Sequence, residues 1–268
     1  MLFNYNMTEA LEIYLNSKFA DQYLSGVSDT IYNLPNIIIQ KDETAYVTVK
    51  DAVIPNSFYN VNETNNILNL TIDGISYSIS LQYGNYNVTT LKNELMTEIG
   101  NLNTQHGHDG DVTITYLVKT NKFYFFHSHH SFSFLSTSTC FEILGFEEGR
   151  TYLSTPVPFQ TQKHQLTSTI SINLFTIRNI YIESPNVILN NINSINHNNN
   201  NMLCAIPIKG TPNSIIFYED LTKHLIHNLN NLTTLRIQLK DQDGELINFN
   251  GCHYSLTLEI TIIKKLII

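Results

Sequence analysis

The chain has 268 residues, of which 15 are Lys or Arg and 23 are Asp or Glu, so its formal net charge is −8. Hydrophobic residues make up 42% of the sequence, which is enough for a chain of this length to bury a core and excludes a disordered chain. The chain is negatively charged and has no Lys/Arg cluster larger than Lys264-Lys265, so it lacks the basic surface that nucleic-acid binding requires. No apolar run reaches the ~18 residues of a membrane span.

Uncharged polar residues take the place of charge. Only 14% of the residues are charged, against about 25% in typical soluble domains, and the chain contains 34 Asn. Asn disfavours helix and strand interiors and favours turns, so the composition predicts many short strands joined by polar loops. The three cysteines, Cys140, Cys204 and Cys252, are odd in number and widely separated, which predicts free thiols in a reducing compartment.

The N-terminal part is predicted to be an arm over residues 1–30. It has no basic region followed by an apolar run, so no signal peptide is expected. One short helix is predicted from Thr8 to Leu15, because Thr8 can cap it and Leu11 and Leu15 repeat at i, i+4. From residue 36 the pattern changes to strands, and Pro55 is expected to end one of them.

Residues 63–159 differ from their surroundings and predict an inserted α+β subdomain with two hairpins, one helix and one helical turn. Asp73-Gly74 between two alternating runs predicts the first hairpin, and residues 112–118 with 123–127 predict the second. A helix is expected from about Thr90 to Ile99, ended by Gly100. Thr139 with Glu142 predicts a capping box for a helical turn that stops at Gly145.

The strand pattern resumes after this segment and continues to the end of the chain. Strands are predicted where apolar residues alternate, including 170–174, 180–182, 203–208, 215–218, 235–239 and 256–262. Asp220 is expected to cap a short helix, and residues 190–201 form a low-complexity, Asn-rich loop. The fold class is therefore mainly β: an antiparallel β-sandwich from residues 31–62 and 160–268, with the subdomain inserted.

The sharpest enzymatic motif is His106-Gly107-His108 after Gly100, which matches the opening of the cupin metal motif. That motif requires a Glu four or five residues beyond the second His, where Val112 and Thr113 stand. His106, His108, Asp109 and Asp111 remain weak metal candidates in a Gly/Asp-rich loop, and we predict no metal, cofactor or catalytic residue.

Two further motifs favour ordinary structure. His127-Ser128-His129-His130 is predicted to be a solvated strand end, with His130 on the opposite face from His127 and His129. Asp241-Gln242-Asp243-Gly244 is predicted to be a β-turn, because a calcium loop needs a further ligand before its Gly and a Glu at its twelfth position. No phosphate loop or nucleophile elbow occurs, so the chain is not expected to be an enzyme.

Four short motifs carry a family resemblance. They are residues 53–59 (VIPNSFY), residues 83–91 (YGNYNVTTL), residues 143–146 (ILGF), and residues 239–251 with their LKD start and FNG end. In this order and spacing, the set resembles the minor capsid (penton) proteins of virophages, polinton-like viruses and related large DNA viruses. It covers roughly residues 45–262.

The resemblance implies a single jelly roll, five copies of which close each five-fold vertex of an icosahedral virion. The implied partners are further copies of the chain in a homopentamer, the surrounding major-capsid trimers, and a fibre or host receptor contacting the insertion. The implied location is the virion vertex, after assembly in the cytoplasm of the infected cell. The family offers no catalytic residue to transfer.

Two alternatives stay open. Aromatic residues make up 11% of the chain, including 15 Tyr, which suits a non-catalytic receptor- or carbohydrate-binding β-sandwich, although Trp is absent. A cupin-like metal protein is the third interpretation, and it is the least supported because the motif lacks its Glu.

Overall fold

A computed structural model of the chain describes residues 7–189, 191–192, 199–227 and 230–264. The described residues contain 21 strands, two α-helices and one 3-10 helix (Ser17–Phe19). The first twelve strands are β1 (Met7–Asn16), β2 (Gln22–Tyr23), β3 (Asp29–Ile38), β4 (Glu43–Pro55), β5 (Ile67–Ile72), β6 (Ile75–Ser80), β7 (Val112–Leu117), β8 (Lys122–His127), β9 (Phe132–Phe134), β10 (Tyr152–Leu153), β11 (Thr155–Val157) and β12 (Gln160–Thr167). The remaining nine are β13 (Asn179–Glu183), β14 (Ile188–Leu189), β15 (Asn191–Ile192), β16 (Asn199–Asn200), β17 (Met202–Pro207), β18 (Ile215–Glu219), β19 (His224–His227), β20 (Asn231–Lys240) and β21 (Ser255–Lys264). The helices are α1 (Val88–His106) and α2 (Phe141–Leu144).

The chain divides into two compact units. Unit 1 comprises Met1–Phe58 and Ile177–Ile268, and unit 2 comprises Tyr59–Thr176. The sequence predicted the junctions at residues 62/63 and 159/160. The first predicted junction lies a few residues after the one in the structure, and the second lies 17 residues before it.

Unit 1 is a jelly roll. One sheet has the order β1-β21-β4-β19-β14, with β18 also paired to β4, and the other has the order β17-β13-β20-β3-β2. The pairing is nested: β1 pairs with β21, β3 with β20, β4 with β18 and β19, and β13 with β17, all antiparallel. With β18 and β19 counted together as the partner of β4, eight strands are paired first with last and inward, as in a double-sheet jelly roll.

The core of unit 1 follows from strand alternation. On β21, the side chains of Leu256, Leu258 and Ile260 are buried, and they lie opposite Ala52, Val49 and Val47 of β4. Both strands of this pair therefore contribute apolar side chains from one face of the sheet to one core.

The predicted helix from Thr8 to Leu15 is wrong. These residues belong to β1, where Leu11, Ile13 and Leu15 lie opposite Ile260, Leu258 and Leu256. A spacing of four residues keeps two side chains on one face of a strand as well as of a helix, and Ile13 completes the period-2 pattern. Ten residues of pairing with β21 outweigh the weak local helical preference.

Unit 2 contains two four-stranded sheets, β10-β9-β5-β6 and β11-β12-β8-β7, together with α1 and α2. The hairpin predicted at Asp73-Gly74 is confirmed: both residues have positive φ, 49° and 80°, and Ile72 pairs with Ile75. This is the left-handed conformation that such two-residue turns require. Unit 2 contains four strands beyond the two predicted hairpins, namely β9, β10, β11 and β12, and β12 pairs with β8.

Helix α1 is longer than predicted. It continues past Gly100 and ends at His106, with Gly107 as its C-cap at a φ of 71°. Ile99, Leu102 and Asn103 continue the buried stripe for another turn, whereas Gly100 has open space where a Cβ would lie. Burial of that stripe outweighs the helix cost of one Gly, which is about 1 kcal/mol. The helix begins with Asn87, which forms a capping box with Thr90.

Three local predictions are corrected. Thr139 does not cap α2, because its hydroxyl accepts a hydrogen bond from the Ile67 amide instead, although α2 does end at Gly145. No strand forms over 170–174, which is irregular in the structure. Asp220 caps no helix: its Oδ1 accepts from the Leu221 and Thr222 amides in a tight turn before β19. Of the Asn-rich loop, residues 190 and 193–198 lie outside the described residues.

Candidate functional site

Five histidines lie together at one end of unit 2, and we call His106, His108, His127, His129 and His130 the histidine cluster. The ring centroid of His130 lies 5.4 Å from that of His108, 5.0 Å from that of His127 and 6.4 Å from that of His129. The cluster forms because α1 ends at His106 and β8 ends at His127, and both elements end at the same edge of unit 2.

His130 connects two loops through its two ring nitrogens. Its Nδ1 bonds to Asp73 in the β5–β6 turn, and its Nε2 lies 2.7 Å from Asp109 Oδ1 in the loop after α1. Carboxylate oxygens only accept, so both contacts are hydrogen bonds when the ring carries both protons. The pKa of the Asp109 carboxyl is lowered, chiefly by this hydrogen bond. Burial alone would raise the pKa of Asp73, but its contacts with His130 and Ser131 outweigh burial and lower it.

His127 is the buried member of the cluster, with 2% of its surface exposed. Its Nδ1 accepts hydrogen bonds from the backbone amides of His129 and His130, each at 3.2 Å. Its Nε2 lies 3.2 Å from the side-chain amide nitrogen of Asn103. Burial, followed by the neighbouring His130, lowers the pKa of His127 to about 4. The prediction of a solvated strand end is therefore wrong for His127, because β8 turns its last side chain into the core.

The structure brings three of the four weak metal candidates into this cluster. His108 Nε2 lies 2.7 Å from the Tyr77 hydroxyl, the His106 ring centroid lies 4.7 Å from that of Tyr77, and Asp109 contacts His130. Asp111 contributes backbone atoms, since its amide donates to Ser128 Oγ at 2.7 Å. Among the residues that the structure describes, no group of three or more His, Cys, Asp or Glu side chains is arranged to hold one metal ion.

Sequence reasoning missed Asp73 and Asn103. Asp73 was interpreted only as a turn residue, and Asn103 lay beyond the predicted end of the helix. The run of three histidines within residues 127–130 was the available signal. The partners lie 57 and 24 residues away in sequence, so only the fold shows which side chains meet.

A second candidate is a surface: unit 1 exposes large apolar side chains at the two edges of its six-stranded sheet. Over the described part of the chain, β1 pairs only with β21, and β18 pairs only with β4. The β1 flank, which includes the adjoining 3-10 helix, exposes Tyr14 and Phe19 at 74% and 75%. The β18 flank exposes Phe217 at 74% and Ile215 at 56%, beside an open groove of about 550 Å³ lined also by Pro207 and Lys209. Open strand edges with apolar side chains are sites for pairing or packing with another chain.

The cysteines form no disulfide. Cys140 and Cys204 are buried and Cys252 is exposed, all three as free thiols. Burial raises the pKa of Cys204 to about 12. No helix within the described ranges has the length and apolar character needed to cross a membrane.

No family model matches the sequence, and no curated protein matches it. Among solved structures, the crystal structure of the mavirus penton protein superposes with a TM-score of 0.53 and 14% identity, covering 97% of this chain and 100% of that one. The chain has the fold of the mavirus penton protein. A chain of the Sputnik virophage cryo-EM structure gives a TM-score of 0.46 and 14% identity, covering 96% and 98%. The mavirus match spans both units, so it confirms the predicted fold class, a β-sandwich with an insertion.

Proposed function

We propose that the chain is a structural, non-catalytic capsid protein: a penton subunit, five copies of which close a five-fold vertex of an icosahedral virion. The observation that supports this is the match to the mavirus penton protein over 97% of this chain and 100% of that chain. A match of this extent includes the jelly roll and the inserted unit together. The order of short motifs along the sequence is an independent support.

A ring of five is a closed heterologous assembly, so two different surfaces of each subunit must fit one another. The β1 flank and the β18 flank meet this requirement, because they lie at opposite edges of one sheet and expose different side chains. We assign the ring contact to them, with Tyr14 and Phe19 of one copy packing against the groove beside Phe217 of the next. The low charge of the chain suits such packing, since few ions must lose water at the contact.

The remaining partners belong to the same proposal. The pentamer would contact the major-capsid trimers around the vertex, and unit 2 would be free to contact a fibre or a host receptor. Assembly would take place in the cytoplasm of the infected cell, and the mature location would be the virion.

The test is the mass of the purified protein in solution, measured by light scattering behind a sizing column over a concentration series. We expect a species of five times the 30.7 kDa chain mass. Phe217→Asp places a charge in the contact and should reduce this species to monomer, because an unpaired charge in an apolar contact is strongly unfavourable. Leu153→Asp is the matched control, since Leu153 is 70% exposed but lies in unit 2.

The outcomes distinguish the proposal of a five-membered ring from the assignment of its contact to the β1 and β18 flanks. If both variants remain pentameric, the flank assignment is wrong while the ring stands. If the wild-type chain is monomeric, cryo-electron microscopy of particles that contain it decides the question, and density away from every vertex would contradict the penton proposal. A monomer that binds glycans on an array would instead support the carbohydrate-binding alternative.

A further inference from the structure

The hydrogen bonds of His127 fix its protonation state. Its Nδ1 lies within 3.2 Å of two backbone amides, those of His129 and His130, and both amides donate. A ring nitrogen that accepts two hydrogen bonds carries no proton, so in the neutral ring the proton is on Nε2. The ring is thus held as one tautomer by the backbone of the segment that follows it.

Asn103 completes this arrangement. Its side-chain nitrogen lies 3.2 Å from His127 Nε2, whereas its Oδ1 is buried and has no hydrogen-bond partner. A half-turn of the amide exchanges its oxygen and nitrogen at nearly the same positions, so Oδ1 would accept from Nε2–H. In that orientation Nε2–H has an acceptor and Oδ1 has a donor, so both ring nitrogens of the neutral, buried His127 are hydrogen-bonded.

A second proton on His127 would break this arrangement. Nδ1–H would face two amide donors, and both accepted hydrogen bonds would be lost. The neighbouring cavity, of about 20 Å³, is lined by apolar residues such as Ile99, Val112 and Phe125, so it offers the charge no polar partner. The pKa of His127, about 4, reflects this burial and the nearby positive charge of His130.

Groups from several elements face or surround the ring. His164 on β12 pairs directly with His127 across the ladder, and Asp73 is the surrounding carboxylate that favours the charged form. The titratable groups that act on His127 or contact its neighbours in the cluster are Asp73, Tyr77, His106, His108, Asp109, His129, His130 and His164. Among the charge effects on His127, the repulsion by His130 is the largest and exceeds the attraction by Asp73, so the surroundings disfavour a charged ring.

We propose that His127 makes this end of unit 2 acid-sensitive: when its ring takes up a second proton, the segment 128–131 is released and the loops tied to it separate. The segment carries His130, which bonds to the β5–β6 turn through Asp73 and to the loop after α1 through Asp109. One proton at a buried site therefore controls contacts among three loops. The inference concerns unit 2 alone and stands whether or not the chain is a capsid protein.

Hydrogen–deuterium exchange of the full chain, read by mass spectrometry between pH 7 and pH 4, tests the proposal. Labelling times are scaled so that unstructured peptides exchange equally at each pH, and peptides from β20 in unit 1 serve as the internal reference. We expect the protection of segment 128–131 to fall at least tenfold more than that of β20 between pH 5.5 and pH 4. His127→Gln, which cannot gain a charge, should remove this additional loss, while His129→Gln should keep it because its side chain is exposed and accepts neither backbone hydrogen bond.

Asn103→Asp perturbs the protonation of His127 in the opposite way, by favouring the charged ring. It also provides a test if His127→Gln does not fold. A carboxylate beside Nε2 favours the charged ring, so the loss of protection should begin at a pH at least one unit higher. The proposal is overturned if wild-type segment 128–131 keeps its protection at pH 4, if His127→Gln loses protection as the wild type does, or if Asn103→Asp leaves the midpoint unchanged.

Discussion

Arg236 and Asp29 form a buried ion pair between β20 and β3 in unit 1. Arg236 Nε lies 2.8 Å from Asp29 Oδ1, Arg236 Nη2 lies 2.6 Å from Oδ2, and Gln238 Nε2 lies 3.0 Å from Oδ2. The Asp29 side chain is 3% exposed. Arg236→Met removes two charge-assisted hydrogen bonds and leaves a buried carboxylate with Gln238 as its remaining side-chain donor.

The expected loss of stability follows from the burial of the Asp29 and Arg236 side chains. Removing one partner of a fully buried pair costs about 3–5 kcal/mol, because the other charge is left without compensation. The Arg236 side chain is 35% exposed, so part of its contribution is screened by solvent. We therefore expect Arg236→Met to lower the free energy of unfolding by about 2–3 kcal/mol at pH 7.5. The double variant with Asp29→Leu should recover most of this loss, since no charge remains buried.

The pH dependence of the free energy of unfolding is a second, independent test of the ion pair. In the wild type, burial alone would raise the pKa of Asp29, but the hydrogen bonds from Arg236 and Gln238 outweigh burial and lower it. Asp29 therefore contributes stability above its unfolded pKa, and this contribution is lost as pH falls through the folded value. In Arg236→Met the dominant remaining effect is burial, which raises the pKa, so the variant gains stability as the carboxylate takes up a proton. The difference between wild type and variant should shrink from pH 7.5 to pH 4.5.

The assay is urea unfolding at both pH values, followed by far-UV circular dichroism because the chain has no Trp. Hydrogen exchange of β3 and β20 peptides assigns the change to unit 1. Lys264→Met is the control: its ion pair with Asp42 is partly exposed on both sides, and such pairs contribute about 0–1 kcal/mol. A loss at pH 7.5 no larger than that of the control, or a loss that grows at pH 4.5, would refute the reasoning.

Two further predictions concern unit 2 and the thiols. Gly145→Ala should destabilise unit 2 by about 2–4 kcal/mol in thermal or urea unfolding, because φ is 79° and the new Cβ would lie 2.6 Å from the Ile170 carbonyl oxygen. Gly149→Ala, with φ of 73° and no atom within 4 Å, should lose only about 1 kcal/mol, and equal losses would contradict the steric argument. A maleimide should modify only Cys252 in the native chain and all three cysteines in urea, as read by intact mass, because Cys140 and Cys204 are buried; rapid native modification of a second thiol would contradict the burial.

Features set by neighbours in sequence were predictable. The Asp73-Gly74 hairpin requires positive φ at two adjacent residues, and those residue types adopt it readily. The stop at Gly145 follows the same rule, with φ of 79°. The end of α1 was placed too early because Gly100 has a helix-breaking preference, while burial of Leu102 by the sheet is a tertiary effect that no local pattern reports.

Features set by distant pairing were not predictable. Residues 7–16 lack a strong strand signal, and only the ladder to β21 makes them a strand. The histidine cluster is similar: His130 bonds to Asp73 and Asp109, which are 57 and 21 residues away. Three histidines near one strand end indicate a candidate site. Whether each imidazole ring is solvated or buried depends on which other elements end beside it.

The position of the insertion follows from the nested pairing of unit 1. Unit 2 occupies the connection between β4 and β13, which lie in different sheets and do not pair with each other. No ladder therefore fixes the length of that connection, and its closure entropy grows by only about 0.6 kcal/mol for each doubling of length. Unit 2 also has its own core, centred on residues such as Phe123, Phe125 and Leu95, and every residue of that core lies within the unit. A segment that stabilises itself adds little cost to the sandwich that holds it, which is why unit 1 can accept more than a hundred residues between β4 and β13.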